Sequence, residues 1–408
     1  MGRAWSFPIV VMAVCGVLLL PAAGPRALAE TVDTNPLNRT PQVREAFELF
    51  YNMRYDEAIE DFEKIQGAHP GDAMATDYLL DAVLFRELNR LDLLDTTFYA
   101  NDGFLTGKHT VAENPATRDR IKALADEAVN EANAELKANP NDVNALFARG
   151  WARSLEATYL AMAERAFGAG LHQALGARSD CDRVLELDKN YVDAKLVVGV
   201  YQYVVGALPL AFKLVVGFVG IHGSKAAGMA MLRDDAANGV ITAVEAKTAM
   251  ALFLRREAHY DEAVEIARGL AEEYPHDYLL MLEEANLEKD GGAGMKAIET
   301  YQRLIELARR PGYFPEAHLE LAYFGLGDSL RGQKKYAEAV DAYREGADQP
   351  NTSPELKRRC LLQAGESYDL MGRRQQAAQE YQAVLRAGSD TTQGDLARKY
   401  LRSAYEGN

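Results

Sequence analysis

The sequence predicts an all-α protein built from about eight helical hairpins. The first observation is a motif that occurs four times and begins at Tyr55, Tyr260, Tyr336 and Arg374. In it, an aromatic or long side chain is followed by a small residue three positions later, and by an aromatic or small residue four further on. The second observation is that no stretch alternates apolar and polar residues for long enough to indicate a sheet. The third is a charged fraction of 26%, which is typical of a folded helical chain.

The spacing of the motif follows from helix packing. Ala263 and Ala267 are four residues apart and therefore lie on one helix face, where small side chains let a neighbouring helix approach closely. The aromatic residue at the start is expected to fill the space between two helices, and Pro275 ends the unit because proline cannot continue a helix. The motif resembles the second helix of a tetratricopeptide repeat. That resemblance implies a right-handed superhelix with a concave binding surface.

The repeat register can be counted from the alanines. Ala263 and Ala297 are 34 residues apart, which is the tetratricopeptide period. The next intervals, to Ala339 and Ala377, are 42 and 38 residues, and we assign the extra residues to loops. Four regular repeats are therefore expected in residues 244–391.

The regions on either side of these repeats are less regular. Residues 30–243 are interpreted as divergent tetratricopeptide-like helical pairs, and residues 392–408 as a capping helix and tail. Cys181 and Cys360 fall on different repeats. A solenoid brings only neighbouring repeats together, so we expect no disulfide between them.

The first 29 residues have the features of a secretory signal peptide. Arg3 supplies a positive charge, residues 7–20 are apolar, and Ala27-Leu28-Ala29 is a small-residue cleavage site. The alternative is a membrane anchor, for which the apolar run is short. We therefore expect an exported protein of the periplasm or cell envelope, or a secreted one if the host is not Gram-negative.

An apolar insert occupies residues 196–221, where only Gln202 and Lys213 are strongly polar. Two buried helices, one on each side of Pro209, are one interpretation. An apolar ligand groove or membrane-docking surface is the second. A membrane span is the third, although it would place the repeats on opposite sides of a bilayer. The candidate apolar ligand contacts are Val204, Val205, Leu214, Val215 and Phe218.

A narrower resemblance covers about residues 140–260. The apolar helix before Leu208-Pro209, the turn Gly217-Phe218-Val219-Gly220 and the helix from Gly228 to Leu232 resemble the inclusion-body-clearance family of tetratricopeptide-repeat proteins. That family is linked to lipid droplets and to aggregate clearance in the eukaryotic cytosol. A secretory signal departs from this pattern, so the resemblance implies only the architecture and a link with lipid.

The sequence does not indicate a catalytic site. Its seven histidines include no pair at i and i+4 of the kind that binds zinc on a helix. The segment from Gly103 to Lys108 is one residue short of a phosphate-binding loop. We therefore expect no catalytic residues, no cofactor and no metal, and the prediction is that the protein is not an enzyme. The net charge of −15 also argues against a nucleic-acid partner.

The predicted functional surface is the concave face formed by the first helices of the repeats. The resemblance places its groove positions at Arg255, Arg256, Asn286, Lys289, Asp328, Arg331, Glu366 and Asp369. Guanidinium and amide groups at such positions can clamp a carboxylate or a peptide backbone. The sequence thus predicts a non-enzymatic, exported scaffold or adaptor that binds a protein or peptide segment in its groove. The alternative is a carrier of lipid or another hydrophobic ligand, or a peripheral membrane protein, that uses residues 196–221.

Overall fold

The computed structural model describes residues 33–99, 114–208, 222–315 and 317–407. Within these ranges the chain forms seventeen α-helices and no β-strand, which confirms the predicted all-α class. The helices are α1 Pro41–Tyr51, α2 Tyr55–Ala68, α3 Ala73–Arg90, α4 Pro115–Ala138, α5 Val143–Met162, α6 Phe167–Leu187, α7 Ala194–Ala207, α8 Lys225–Asn238, α9 Ala243–Arg256, α10 Tyr260–Glu273, α11 Tyr278–Asp290, α12 Gly294–Ala308, α13 Leu319–Gly332, α14 Tyr336–Asp348, α15 Pro354–Leu370, α16 Arg374–Ala387 and α17 Thr392–Arg402. Two 3₁₀-helices, Pro36–Arg39 and Thr96–Tyr99, precede α1 and follow α3.

The helices of the described ranges form eight hairpins, from α1–α2 to α15–α16, and α17 packs on the last one. Each second helix also packs on the first helix of the next hairpin. The chain is therefore a solenoid of stacked helical hairpins, as the sequence predicts. The division into domains that the sequence suggests stays a prediction.

Five hairpins share a three-residue turn between their helices. The middle residue of each turn has a left-handed backbone, with φ between 59° and 84°. These residues are Met53, Ala258, Gly292, Lys334 and Gly372. Glycine adopts this conformation without strain, but the other three residues carry a Cβ and adopt it as well. Packing of the two helices therefore determines the turn, and the local sequence does not.

Tyrosines of the second helices fill space that glycine leaves on the facing first helix. Tyr343 on α14 and Tyr381 on α16 are fully buried. A Cβ atom on Gly327 would lie 2.5 Å from Cε1 of Tyr343, and one on Gly365 would lie 2.5 Å from Cε1 of Tyr381. In the α13–α14 hairpin the aromatic residue at the start of the motif does not have this role, since Tyr336 is only half-buried, whereas Tyr55 of the first hairpin is buried against Phe50 of α1. The wedge residue lies seven positions later.

The start of the described chain packs against hairpins far along the sequence. The Tyr51 hydroxyl on α1 donates to Glu245 Oε1 on α9 at 2.6 Å. The Arg255 guanidinium, also on α9, donates to Thr96 Oγ1 at 3.1 Å. Further bonds of this kind join Thr34 to Asp193, Asn52 to His276 and Asp92 to His318. The solenoid therefore closes on itself, which the expectation of contacts between neighbouring repeats alone did not include.

The apolar insert begins as α7, the first helix of the fourth hairpin. Its backbone touches that of α8, because a Cβ on Gly228 would lie 2.5 Å from the carbonyl oxygen of Gly199. Val205 is buried, whereas Val204 is 45% exposed. The rest of the insert, with Leu214, Val215 and Phe218, lies outside the described residues, as does the predicted signal peptide. Within the described ranges no helix combines the length and the apolar character that crossing a membrane requires.

We expect Gly327→Ala to lower the thermal unfolding midpoint, because the new methyl group meets the ring of Tyr343, which is fully buried and cannot move aside. Overpacking of this kind costs about 1–3 kcal/mol. The matched control is Gly269→Ala on α10, where nothing lies within 4 Å of the added atom. There the substitution should stabilise the helix by up to about 1 kcal/mol. Thermal unfolding followed by circular dichroism measures both effects, and equal midpoints would contradict the packing argument.

Candidate functional site

The first helices α9, α11, α13 and α15 carry the eight groove positions predicted from the sequence. On α9, Arg255 is not available to a partner, since it is only 5% exposed. Its guanidinium lies 3.1 Å from Glu283 Oε2 and also donates to Asp290 Oδ2 and Thr96 Oγ1. Burial raises the pKa of Glu283 to about 7 even though Arg255 opposes the shift. Arg255 therefore links α9 to α11 and to the segment that follows α3. Its neighbour Arg256 is half-buried.

Three predicted groove residues accept hydrogen bonds from tyrosines of the paired second helix. Tyr301 donates to Asn286 Oδ1 at 2.5 Å, Tyr343 to Asp328 Oδ1 at 2.7 Å and Tyr381 to Asp369 Oδ2 at 2.8 Å. Asp369 also accepts from Arg374 Nη1 at 3.0 Å. These side chains hold the two helices of each hairpin together. Whether they also contact a partner stays a prediction.

The remaining groove positions lie around α13. Arg331 pairs with Glu366, with Nη2 2.7 Å from Oε2, and the Arg331 side chain keeps 18% of its exposure. Lys289 on α11 is 25% exposed, and its Nζ is 3.9 Å from Asp290 Oδ1. Asp328 lies one turn before Arg331 on α13. Burial raises the pKa of its carboxyl, and the charges of Lys289, Arg359 and Arg331 oppose that rise.

The structure thus divides the predicted groove into two parts. Over α9 and α11, Thr96 of the segment that follows α3 covers the face through its bonds with Arg255 and Glu283. Asp92 of the same segment lies beside His318, just before α13.

Over α13 and α15 the segment after α17 contacts Arg331 and Asp369, and the rest of the face keeps exposed groups. One of them, Arg359, was missed by sequence reasoning, and its Cζ lies 4.5 Å from the ring centroid of Phe324. Extending the α15 face by one turn from Leu362 would have included it, because residues three apart share a helix face.

A second polar feature is a group of buried carboxyls between α3, α8 and α9. Within the part of the chain that the structure describes, both oxygens of Asp77 and of Asp81 lack a hydrogen-bond partner. Burial raises the pKa of Asp235 to about 8 and that of Glu245 to about 7. Burial raises the pKa of Asp77 and Asp81 as well, with neighbouring carboxylates adding to the shift. These groups bind protons at a pH where exposed carboxylates have lost them.

The hairpin stack and its face of mixed charge define a helical-repeat protein of the kind that binds other molecules. Residues 321–350 and 359–387 match the family model of the tetratricopeptide repeat. These two matches fall on the hairpins α13–α14 and α15–α16, whose first helices carry the exposed part of the groove. No curated protein matches the sequence at a significant level. The narrower resemblance of residues 140–260 to the inclusion-body-clearance family is not confirmed and stays a prediction.

Several solved helical structures are similar to the chain at low sequence identity. One is the APC/C hetero-tetramer Cut9–Hcn1, with a TM-score of 0.47, 13% identity and coverage of 91% of this chain. This chain spans only 57% of that one. Yeast Tom70 gives a TM-score of 0.37 with 10% identity, covering 88% of this chain and 87% of Tom70. A tetratricopeptide repeat protein from Parabacteroides merdae gives 0.32 with 13% identity, covering 79% and 97%.

We expect the free energy of unfolding to fall as the pH rises from about 5 to about 9. The unfolded chain releases the protons of Asp235 and Glu245 near pH 4, whereas the folded chain holds them until about pH 7 to 8. The folded state therefore binds more protons in this window, and stability is lost as they leave. Urea denaturation at a series of pH values measures the slope.

The Asp235→Asn variant should flatten this slope, since an amide does not titrate. Asp261→Asn, which changes an exposed carboxylate on α10, is the control and should keep the wild-type slope. A slope that Asp235→Asn leaves unchanged would contradict the assignment.

Proposed function

We propose that the chain is an exported, non-enzymatic scaffold that binds an extended segment of a partner protein along α13 and α15. The observation that carries this proposal is the exposed guanidinium of Arg359, which lies over the Phe324 ring and, like the partly exposed Arg331, lowers the pKa of Asp328 through its charge. These groups belong to the two hairpins that match the tetratricopeptide repeat. The signal-like sequence of residues 1–29 supports export to the periplasm or cell envelope.

The charge distribution supports a peptide ligand over a single anion. Three successive hairpins supply the cations Lys289, Arg331 and Arg359. The charge of each of them lowers the pKa of Asp328. Asp328 and the buried Glu366 place carboxylates among these cations, so this part of the chain carries both donor and acceptor groups. An extended backbone has N–H and C=O groups at regular intervals and can use both.

We expect Lys289→Glu combined with Arg359→Glu to reduce partner capture at least about tenfold, because it reverses one partly exposed and one exposed charge of the groove. Helicity should not change, since neither side chain is buried. The measurement is cross-linking of the tagged chain in its host envelope, followed by native mass spectrometry of what remains bound.

The control combines Lys296→Glu on α12 with Lys189→Glu after α6, two exposed lysines outside the first helices α13 and α15. This control should capture the partner as the wild type does. Equal losses in both double variants would show that net charge matters and that the groove does not.

A second candidate function is binding of lipid or another apolar ligand, and exposed apolar side chains on α6 and α7 favour it. Phe167 is 40% exposed, Leu171 is 39% exposed and Val204 is 45% exposed. Arg178 on α6 lies over the ring of Tyr201 on α7, with Cζ 4.5 Å from the centroid. Because the two helices run in opposite directions, the three apolar residues lie toward the same end of the pair.

If this face binds lipid, Phe167→Asp with Val204→Asp should abolish flotation of the chain with vesicles of zwitterionic phospholipid. Both side chains are exposed, so circular dichroism should not change. Met295→Asp removes an apolar residue that is 48% exposed on α12 and should float like the wild type. Absence of flotation for the wild-type chain would exclude this candidate.

A further inference from the structure

The segment that follows α17 lies against the same first-helix face. The backbone N–H of Tyr405 donates to Asp369 Oδ2 on α15 at 2.9 Å. The Tyr405 ring lies under the Arg331 guanidinium, with Cζ 5.2 Å from the ring centroid. The centroids of the Tyr405 and Tyr400 rings are 5.2 Å apart, and the two ring planes are inclined at 76°. The segment thus bridges α13, α15 and the capping helix.

These contacts are those of a peptide held in a groove. Tyr405 is half-buried, whereas Ser403, Ala404, Glu406 and Gly407 are exposed. A single aromatic side chain anchors the segment, and one backbone donor fixes its register. Main-chain hydrogen bonds combined with a pocket for one side chain are the general mode by which proteins bind extended peptides.

The charged groups beneath Tyr405 do not depend on it for their partners. Arg331 pairs with Glu366 at 2.7 Å, and Asp369 pairs with Arg374 at 3.0 Å. Removing Tyr405 would therefore leave no buried charge without a counterion, which is the situation that makes a contact costly to break. Truncating the side chain to alanine removes one ring–guanidinium contact and one ring contact with Tyr400, and the aromatic residue of an incoming peptide can replace both.

We infer that residues 403–407 are an internal pseudo-ligand, and that the partner segment is an extended peptide whose aromatic residue takes the place of Tyr405. This inference rests on the proposed function, since it names the ligand of the same groove. The tethered segment competes at a high effective concentration, so the wild-type chain binds such a peptide weakly.

The test is the binding of a fluorescein-labelled peptide with the sequence of residues 402–408, measured by anisotropy. The Tyr405→Ala chain should bind it at least about tenfold more tightly than the wild type, because its own segment no longer competes. Tyr405→Phe keeps the ring and should behave as the wild type. Asp261→Asn changes an exposed carboxylate on α10, outside the segment and the groove, and is the second control. A peptide with alanine in place of its tyrosine should not bind.

Two results would overturn the inference. One is equal or absent peptide binding by the wild-type and Tyr405→Ala chains. The other is binding that Arg331→Gln, introduced into the Tyr405→Ala chain, does not weaken, since the ring would then lie elsewhere.

Capture of the envelope partner distinguishes a failure of the inference from a failure of the proposed function. If Tyr405→Ala captures the envelope partner no better than the wild type while Lys289→Glu with Arg359→Glu loses it, the groove binds its partner and the pseudo-ligand is wrong. If neither variant changes capture, the groove itself is not the binding surface.

Discussion

The close approach of paired helices at glycine is the constraint on which the regular hairpins depend. Without a Cβ on Gly327 or Gly365, a tyrosine ring from the second helix reaches the backbone of the first. The ring carries a hydroxyl into the interior, and a buried donor without an acceptor would cost about 1–3 kcal/mol. The first helix supplies that acceptor, as Asp328 does for Tyr343. Glycine, tyrosine and acceptor therefore form a unit, and changing one affects the other two.

This unit explains why sequence reasoning located the regular hairpins. The alanine register and the small residues on the first helices are local features, and helix geometry converts them into a face and a partner. In the α13–α14 hairpin the choice of wedge residue was wrong, because the motif begins at Tyr336 while Tyr343 is the residue that is fully buried. How deeply a side chain is buried depends on the angle at which two helices cross, and the spacing of residues within one helix does not specify that angle.

The sequence did not predict the contacts between distant hairpins or which groove side chains are exposed. The bond from Arg255 to Thr96 joins residues 159 apart, and no repeat period encodes such a pair. Residue spacing placed Arg255 on the first-helix face. In an open solenoid that face is exposed to solvent, but here it contacts the chain's own N-terminal region. The side chains with exposed charge are therefore found farther along, on α13 and α15, where Arg359 extends the predicted face by one turn.

The contacts between the first and middle hairpins also bear on how the chain folds. In a linear array of repeats each unit touches only its neighbours, so folding can begin anywhere and the ends can fray independently. Here the partners of Tyr51 and Thr96 are Glu245 and Arg255, which lie far later in the sequence. Helices α1 to α3 therefore reach their final environment only after most of the chain has been synthesised. Contacts across such distances slow folding because the loop must close before they form. In return, detachment of the first hairpins also breaks their bonds to the middle of the stack.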